Sequence, residues 1–330
     1  MIRLLKNNQF GTLLLVLGLL LGIGLLLHGI DPETVPLSKP APLTIWTQEK
    51  LIVLFGGSTT IIFIMALLLI ILQSMLFGFL AERHQLLYKN TWLPVLFFGL
   101  FNMLFPEQLA LHPELLANTF LVLAVMAMFQ AQGKEKAMPA LINAGILGGI
   151  AFLFAPSTFL IIPVFILGIM FFKPLTGLDI FQYLTGYILV PFFGATLMYL
   201  LDKEEIVLFY QNITYLSPGN GEIWREPYFS GIMGLLILIL VPTFFLLQQN
   251  FFRNTVRVRK LQQYLLVYLV FALLFGFLGT QSVKNAMSIL ALPLSVFLTY
   301  FFLSDKRKWI RETAFFLFLI AIVLQHAHLF

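Results

Sequence analysis

The 330-residue sequence contains no cysteine, which excludes disulfides, a thiolate nucleophile and a cysteine-ligated metal site. Charged residues are also scarce, at 11% of the chain against about a quarter in an ordinary soluble domain. The sequence has no HExxH, Walker A or GxSxG motif, so it lacks the patterns of zinc proteases, P-loop enzymes and serine hydrolases. Its long apolar runs have no charged residue at their centres, which argues against a proton- or cation-coupled pump.

Apolar residues make up 60% of the chain, and the mean hydropathy is +0.94. A water-soluble fold cannot bury this much apolar surface, so the bilayer must be the solvent. Transmembrane barrel strands alternate apolar and polar residues, whereas runs such as Leu13–Leu27 and Leu235–Leu247 are continuously apolar apart from single small residues. The sequence therefore predicts an all-α, polytopic transmembrane helix bundle in a single domain, 1–330.

A helix needs about 20 residues to cross the hydrocarbon core, and the apolar runs predict about eleven spans. These lie near 11–29, 52–80, 92–105, 114–131, 140–155, 157–172, 180–201, 228–248, 264–280, 285–303 and 312–329. The 92–105 run is short. The 140–172 block is interrupted by Ala155-Pro156-Ser157, which favours a helical hairpin over one kinked helix because proline cannot continue the hydrogen-bond ladder. Gly56-Gly57-Ser58 predicts a kink or an interfacial start in the overlong 52–80 run.

The distribution of basic residues predicts the orientation, since short cytoplasmic loops are enriched in Lys and Arg. With the N-terminus in the cytoplasm and the C-terminus outside, fifteen of the 20 Lys and Arg residues fall on the inside. The basic run 253–260 is then a cytoplasmic anchor that attracts anionic headgroups, and we expect no nucleic-acid partner.

The ionisable side chains that remain collect at the predicted outer face, where a lipid headgroup and a water-borne partner can meet. A carboxylate at this boundary can act as a general base, and Lys or Arg can hold a phosphate; the alternative is that these are solvated loop charges. The candidates are Asp31, Glu33, His112, Glu114, Arg225 and Lys284. Apolar positions recur at helical spacing through about 203–216, which predicts a helix lying in the outer interface.

Polar side chains within the spans are few, and they include Gln73, Asn102, Asn118 and Gln182. We expect them to form hydrogen bonds between helices. The five histidines are scattered along the chain and predict no metal site.

The first half of the chain resembles the GT-C class of membrane glycosyltransferases, which use polyprenyl-phosphate sugar donors. The similarity lies in Glu114–Asn118, the basic turn Gln132–Lys136 and the Gly-rich Ala144–Gly149 leading to Pro156, and it covers about 1–175. The first outer loop is shorter than is usual for the class.

This resemblance implies a catalytic carboxylate directly after the first span, which would be Asp31 or Glu33. It also implies that Arg225 and Lys284 bind the lipid phosphate and that membrane lipids, with polyprenyl phosphate among them, are the partners. The sequence itself predicts no cofactor, and the resemblance would add only a divalent cation.

The chain also resembles an uncharacterised family of bacterial inner-membrane proteins, some of them labelled beta-carotene monooxygenase. The similarity is carried by Lys284-Asn285, Leu290–Ser295 and Trp309–Glu312. It implies a multi-pass protein of the bacterial inner membrane. Carotenoid oxygenase activity is not expected, because it requires an iron held by several histidines.

Three functions are consistent with the sequence: a GT-C-like transferase, a non-enzymatic component of a cell-envelope complex, and a lipid or solute transporter. The sequence predicts neither the substrate nor any protein partner.

Overall fold

A computed structural model of the protein describes residues 9–30, 42–55, 58–134, 137–201, 227–251, 254–278, 283–303 and 308–327. These residues form a helical bundle. Its α-helices are α1 (Phe10–Ile30), α2 (Pro42–Phe55), α3 (Thr59–Arg83), α4 (Leu93–Phe101), α5 (Pro113–Ala131), α6 (Met138–Phe154), α7 (Ile162–Phe172), α8 (Gly177–Leu201), α9 (Pro227–Phe251), α10 (Val256–Leu278), α11 (Val283–Leu303) and α12 (Lys308–His326). Short 3-10 helices cover Pro106–Leu109 and Pro156–Ile161.

Eight of these helices are long and apolar enough to cross a membrane. The outer helices keep large apolar side chains on the surface; for example, Leu238 of α9 is 71% exposed and Leu200 of α8 is 74% exposed. Such a surface is stable in lipid and not in water. The protein is therefore a multi-pass integral membrane protein, as predicted.

Helix α11 is the centre of the bundle. In the apolar 18-residue stretch of α11, 94% of the residues are buried, whereas the value for the corresponding stretch of α8 is 17%. Helices α4, α5, α9 and α10 pack around it, and every residue of α4 is buried.

The predicted span 52–80 is two helices, α2 and α3, and the boundary falls at the predicted Gly56-Gly57-Ser58 site. Ser58, directly before α3, has an extended backbone. Helix α2 begins upstream of the predicted span. Its polar residues, such as Gln48 and Lys50, lower the local hydropathy and so kept this part out of the predicted span, but they do not prevent helix formation.

The predicted span 92–105 contains only the nine-residue helix α4, about 13 Å long. The segment from Leu86 to His112 nevertheless runs along most of the length of α11. Leu86 O accepts a hydrogen bond from Tyr300 near one end of α11, and His112 contacts Ser288 near the other, about 18 Å away along the axis. Non-helical backbone at this depth is stable only where protein surrounds it, and 102–105 is buried.

The reversal predicted at Pro156 is present. Tyr183 of α8 packs against Gly145 of α6 and stacks on Phe165 of α7 at 5.5 Å between ring centroids. In one continuous helix, positions 145 and 165 would be about 30 Å apart. The chain therefore turns back between α6 and α7.

One end of the bundle is rich in basic residues and is called the basic end. Here Gln132, after α5, and Arg257, at the start of α10, exchange hydrogen bonds of 3.0 and 3.2 Å. Burial, and then the nearby charges of Arg257 and Arg83, lower the pKa of His84. The count of eleven spans and the side on which each terminus lies stay predictions. The predicted interfacial helix at 203–216 lies outside the described residues.

Candidate functional site

Three of the predicted site residues lie at the end of the bundle opposite the basic end. His112 directly precedes α5, Glu114 lies in its first turn, and Lys284 is the second residue of α11. Asp31, Glu33 and Arg225 lie outside the described residues. The residues around His112, Glu114 and Lys284 are called the polar cluster, and it comprises Glu107, Gln108, His112, Glu114, Asn118, Gln73, Lys284 and Ser288.

The outer part of the polar cluster is an ion pair. Lys284 Nζ lies 3.0 Å from Glu107 Oε1, and both side chains are largely shielded, at 13% and 24% exposure. Gln108 fixes the segment by donating to Lys284 O at 3.1 Å and accepting from Phe105 N–H at 3.1 Å. A phosphate that reached Lys284 would therefore compete with Glu107 for a preorganised ammonium group.

His112 joins α5 to α11. Its Nδ1 lies 3.0 Å from Ala110 O, and its Nε2 lies 3.1 Å from Ser288 Oγ. A carbonyl oxygen can only accept, so Nδ1 carries the proton and Nε2 accepts from the serine hydroxyl. Burial lowers the pKa of His112 from 6.5 to about 4, so the ring is neutral at physiological pH.

Below this ring, an amide network connects α3, α5 and α11. Asn118 Nδ2 donates to Ser288 O at 2.7 Å and to Gln73 Oε1 at 3.3 Å. Gln73 Nε2 donates to Leu115 O at 2.8 Å and to Thr119 Oγ1 at 2.7 Å. This confirms that Gln73 and Asn118 hydrogen-bond between helices. Asn102 instead bonds to Phe98 O of its own helix.

Glu114 is the more deeply buried of the two acids in the polar cluster, and Glu107 Oε2, like Glu114 Oε2, has no hydrogen-bond partner among the described residues. Glu114 has 7% exposure. Asn118 Oδ1 also has no partner among these residues. Residues four apart share a helix face, so two unsatisfied acceptors lie one turn apart on α5, in the buried interior of the bundle.

This arrangement suits a ligand that brings hydrogen-bond donors. Leaving a buried acceptor unpaired costs free energy, and burying an unpaired carboxylate costs more. A ligand with hydroxyl groups would satisfy both oxygens, and a carboxylate in contact with a hydroxyl can remove its proton. The described residues hold no group of three or more His, Asp and Glu side chains that could bind a metal ion.

The sequence did not indicate the pairing of Glu107 with Lys284, because 177 positions separate them. Ser288 was also missed, since one serine in an apolar run usually satisfies itself on its own helix. Glu114 was predicted as a candidate carboxylate at the membrane boundary, but its burial, with 7% exposure, was not predicted.

Residues 44–329 match a family described as a family of unknown function, DUF6427. The chain belongs to this family. No curated protein and no solved structure matches it. The DUF6427 range includes every member of the polar cluster, and it excludes Asp31 and Glu33. Membership agrees with the predicted uncharacterised family, and the comparisons name neither a glycosyltransferase nor an oxygenase.

Proposed function

We propose that this DUF6427 protein is a membrane glycosyltransferase that takes a sugar from a polyprenyl-phosphate donor, with its reaction centre at the polar cluster. The observation that carries the proposal is the buried Glu114 carboxyl with an unsatisfied oxygen, one helical turn from the unsatisfied Asn118 Oδ1. A membrane-embedded ionisable residue marks a functional site by default.

In this mechanism Glu114 is the general base. It removes the proton of an acceptor hydroxyl as that oxygen attacks the anomeric carbon, and the bond between the anomeric carbon and the phosphate oxygen breaks. Asn118 Oδ1 orients a second hydroxyl of the acceptor. The polyprenyl phosphate leaves as an anion, and Lys284 pairs with it in exchange for Glu107.

The GT-C resemblance places Asp31 or Glu33 in the role of base and adds Arg225 as a phosphate ligand. Both acids lie outside the range that matches the family, which favours Glu114. The expected location is the outer face of a bacterial inner membrane.

The test uses purified protein in proteoliposomes that contain polyprenyl-phosphate-linked sugars and a lipid or glycan acceptor. We expect Glu114→Gln to lower the transfer rate by about 10²- to 10⁴-fold, the usual contribution of a general base. Glu312→Gln is the matched control, because Glu312 is exposed on α12. Asp31→Asn and Glu33→Gln are assayed in parallel.

Transfer that persists at the wild-type rate in Glu114→Gln refutes the assignment of the base, and loss of transfer in Asp31→Asn or Glu33→Gln alone moves that role to the first loop. If the wild-type protein transfers no sugar from any such donor, the transferase proposal fails. The non-enzymatic envelope component or the transporter would then be the better explanation.

A further inference from the structure

A second feature lies near the basic end, far from the polar cluster. Helices α9, α10 and α11 enclose an apolar cavity of about 380 Å³, within the size range of pockets that bind small ligands. Its lining consists of Phe244, Phe245, Leu247, Gln248, Gln262, Leu266 and Phe297. Phe244 and Phe245 are 40% and 63% exposed, so the cavity is open at the surface of the bundle.

The lining changes from polar to apolar with depth. Gln248 is three residues from the end of α9 and Gln262 is six residues from the start of α10, whereas Phe244 and Leu266 lie one turn further inside. Both helix ends belong to the basic end. The cavity therefore has a polar mouth at the membrane boundary and an apolar interior. This arrangement matches the polar headgroup and the apolar acyl chains of a lipid.

The mouth is held in place by hydrogen bonds. Gln262 accepts from Asn254 Nδ2 at 3.3 Å and donates to Leu86 O at 3.4 Å and to the Tyr300 hydroxyl. Tyr300 in turn donates to Leu86 O at 2.8 Å. The mouth is therefore preformed, and a ligand does not have to order it.

A cationic residue lies on the same helix face as the mouth. Arg259, Gln262 and Leu266 have the spacing i, i+3 and i+7, which places them on one face of α10. Arg259 is half-buried and is one turn closer to the helix start than Gln262. Its guanidinium group matches the geometry of a phosphate.

We propose that the cavity binds one anionic phospholipid of the surrounding membrane, with an acyl chain against Phe244, Leu266 and Phe297 and its phosphate at Arg259. The apolar depth fits an acyl chain, and the positive charge beside the mouth selects an anionic headgroup, as basic pockets between transmembrane helices do. This site is independent of the proposed transferase reaction.

The experiment is native mass spectrometry of the full chain, solubilised in mild detergent with equal mole fractions of phosphatidylglycerol and phosphatidylcholine that carry the same acyl chains. We expect the wild-type protein to retain one phosphatidylglycerol with about fivefold preference, the contribution of one basic side chain near an anionic surface. Arg259→Gln should remove the preference, and Leu266→Trp, which fills the cavity, should remove binding of both lipids.

Two matched controls should behave as the wild type. Lys134→Gln removes an exposed positive charge from the basic end at a residue that does not line the cavity, and Leu238→Trp adds a ring to an exposed site on α9 that does not line it either. If Leu266→Trp does not fold, Leu266→Phe takes its place, and Arg259→Gln remains decisive.

Equal retention of both lipids by the wild-type protein, or an unchanged preference in Arg259→Gln, overturns the proposal. Unchanged lipid binding when the cavity is filled also overturns it. A dimer that Leu266→Trp dissociates would mean that a second copy of the chain occupies the cavity.

Discussion

The contact between α6 and α8 gives a sharp test of the packing. A Cβ atom at Gly149 would lie 2.5 Å from Tyr187 O and 2.9 Å from Val190 Cβ, and ordinary contact begins at 3.4 Å. Tyr187 O is a backbone atom, so no side-chain rotation can relieve the clash, and the helices must move apart by about 1 Å. We expect Gly149→Ala to lower the free energy of unfolding by about 1–3 kcal/mol, as overpacking does.

The assay is reversible unfolding in mixed micelles with increasing denaturing detergent, followed by circular dichroism. Gly18→Ala is the control, because a Cβ at Gly18 of α1 would meet nothing within 4 Å and alanine is the better helix former. Gly149→Ala should thus be clearly less stable than Gly18→Ala. Equal stability of the two variants would refute the close approach of α6 and α8.

Two further predictions concern the polar cluster. In a double-mutant cycle of Gln73→Leu and Asn118→Leu, the coupling energy should be about 0.6 kcal/mol, the usual value for a hydrogen bond between membrane helices; additive effects in the same unfolding assay would contradict the 3.3 Å bond between them. Burial lowers the pKa of His112 from 6.5 to about 4, so between these pH values the unfolded chain binds a proton at His112 more readily than the folded protein does. The free energy of unfolding should therefore fall by up to about 3 kcal/mol as the pH drops from 6.5 to 4. His112→Gln should lack this part of the pH dependence, and an unchanged pH profile would show that His112 is not buried in the neutral form.

The apolar runs were sufficient to locate the long helices, since 114–131 was predicted and Pro113–Ala131 is observed. In the Gly-rich stretch of α6, Gly145 and Gly149 both lie against the α8 backbone, a close approach that hydropathy alone does not indicate. Hydropathy did not show that the 92–105 segment has only nine helical residues, because a buried irregular backbone has the same apolar composition as a helix. The residue at which α4 ends depends on its packing against α1, α3 and α11, which the local sequence does not reveal.

The candidate site was less predictable than the fold, because its members come from distant parts of the sequence. His112 and Glu114 were indicated by their position at the start of a span. Their partner Ser288 is 176 positions from His112, and no local pattern connects them. Tertiary packing, not periodicity, converts Glu114 from a loop charge into a buried carboxyl.

The short helix α4 has a consequence for the synthesis of the protein. A nine-residue helix is too short to be stable across a bilayer by itself, and its main support, α11, follows about 180 residues later in the chain. At a translation rate of about 5–20 residues per second, α4 and the adjoining 102–112 segment must wait about 10–35 s for that support. A ribosome-bound chain that ends before α11 therefore lacks Lys284 and Ser288 of the polar cluster, and its α4 can pack only on α1 and α3, which precede it in the chain.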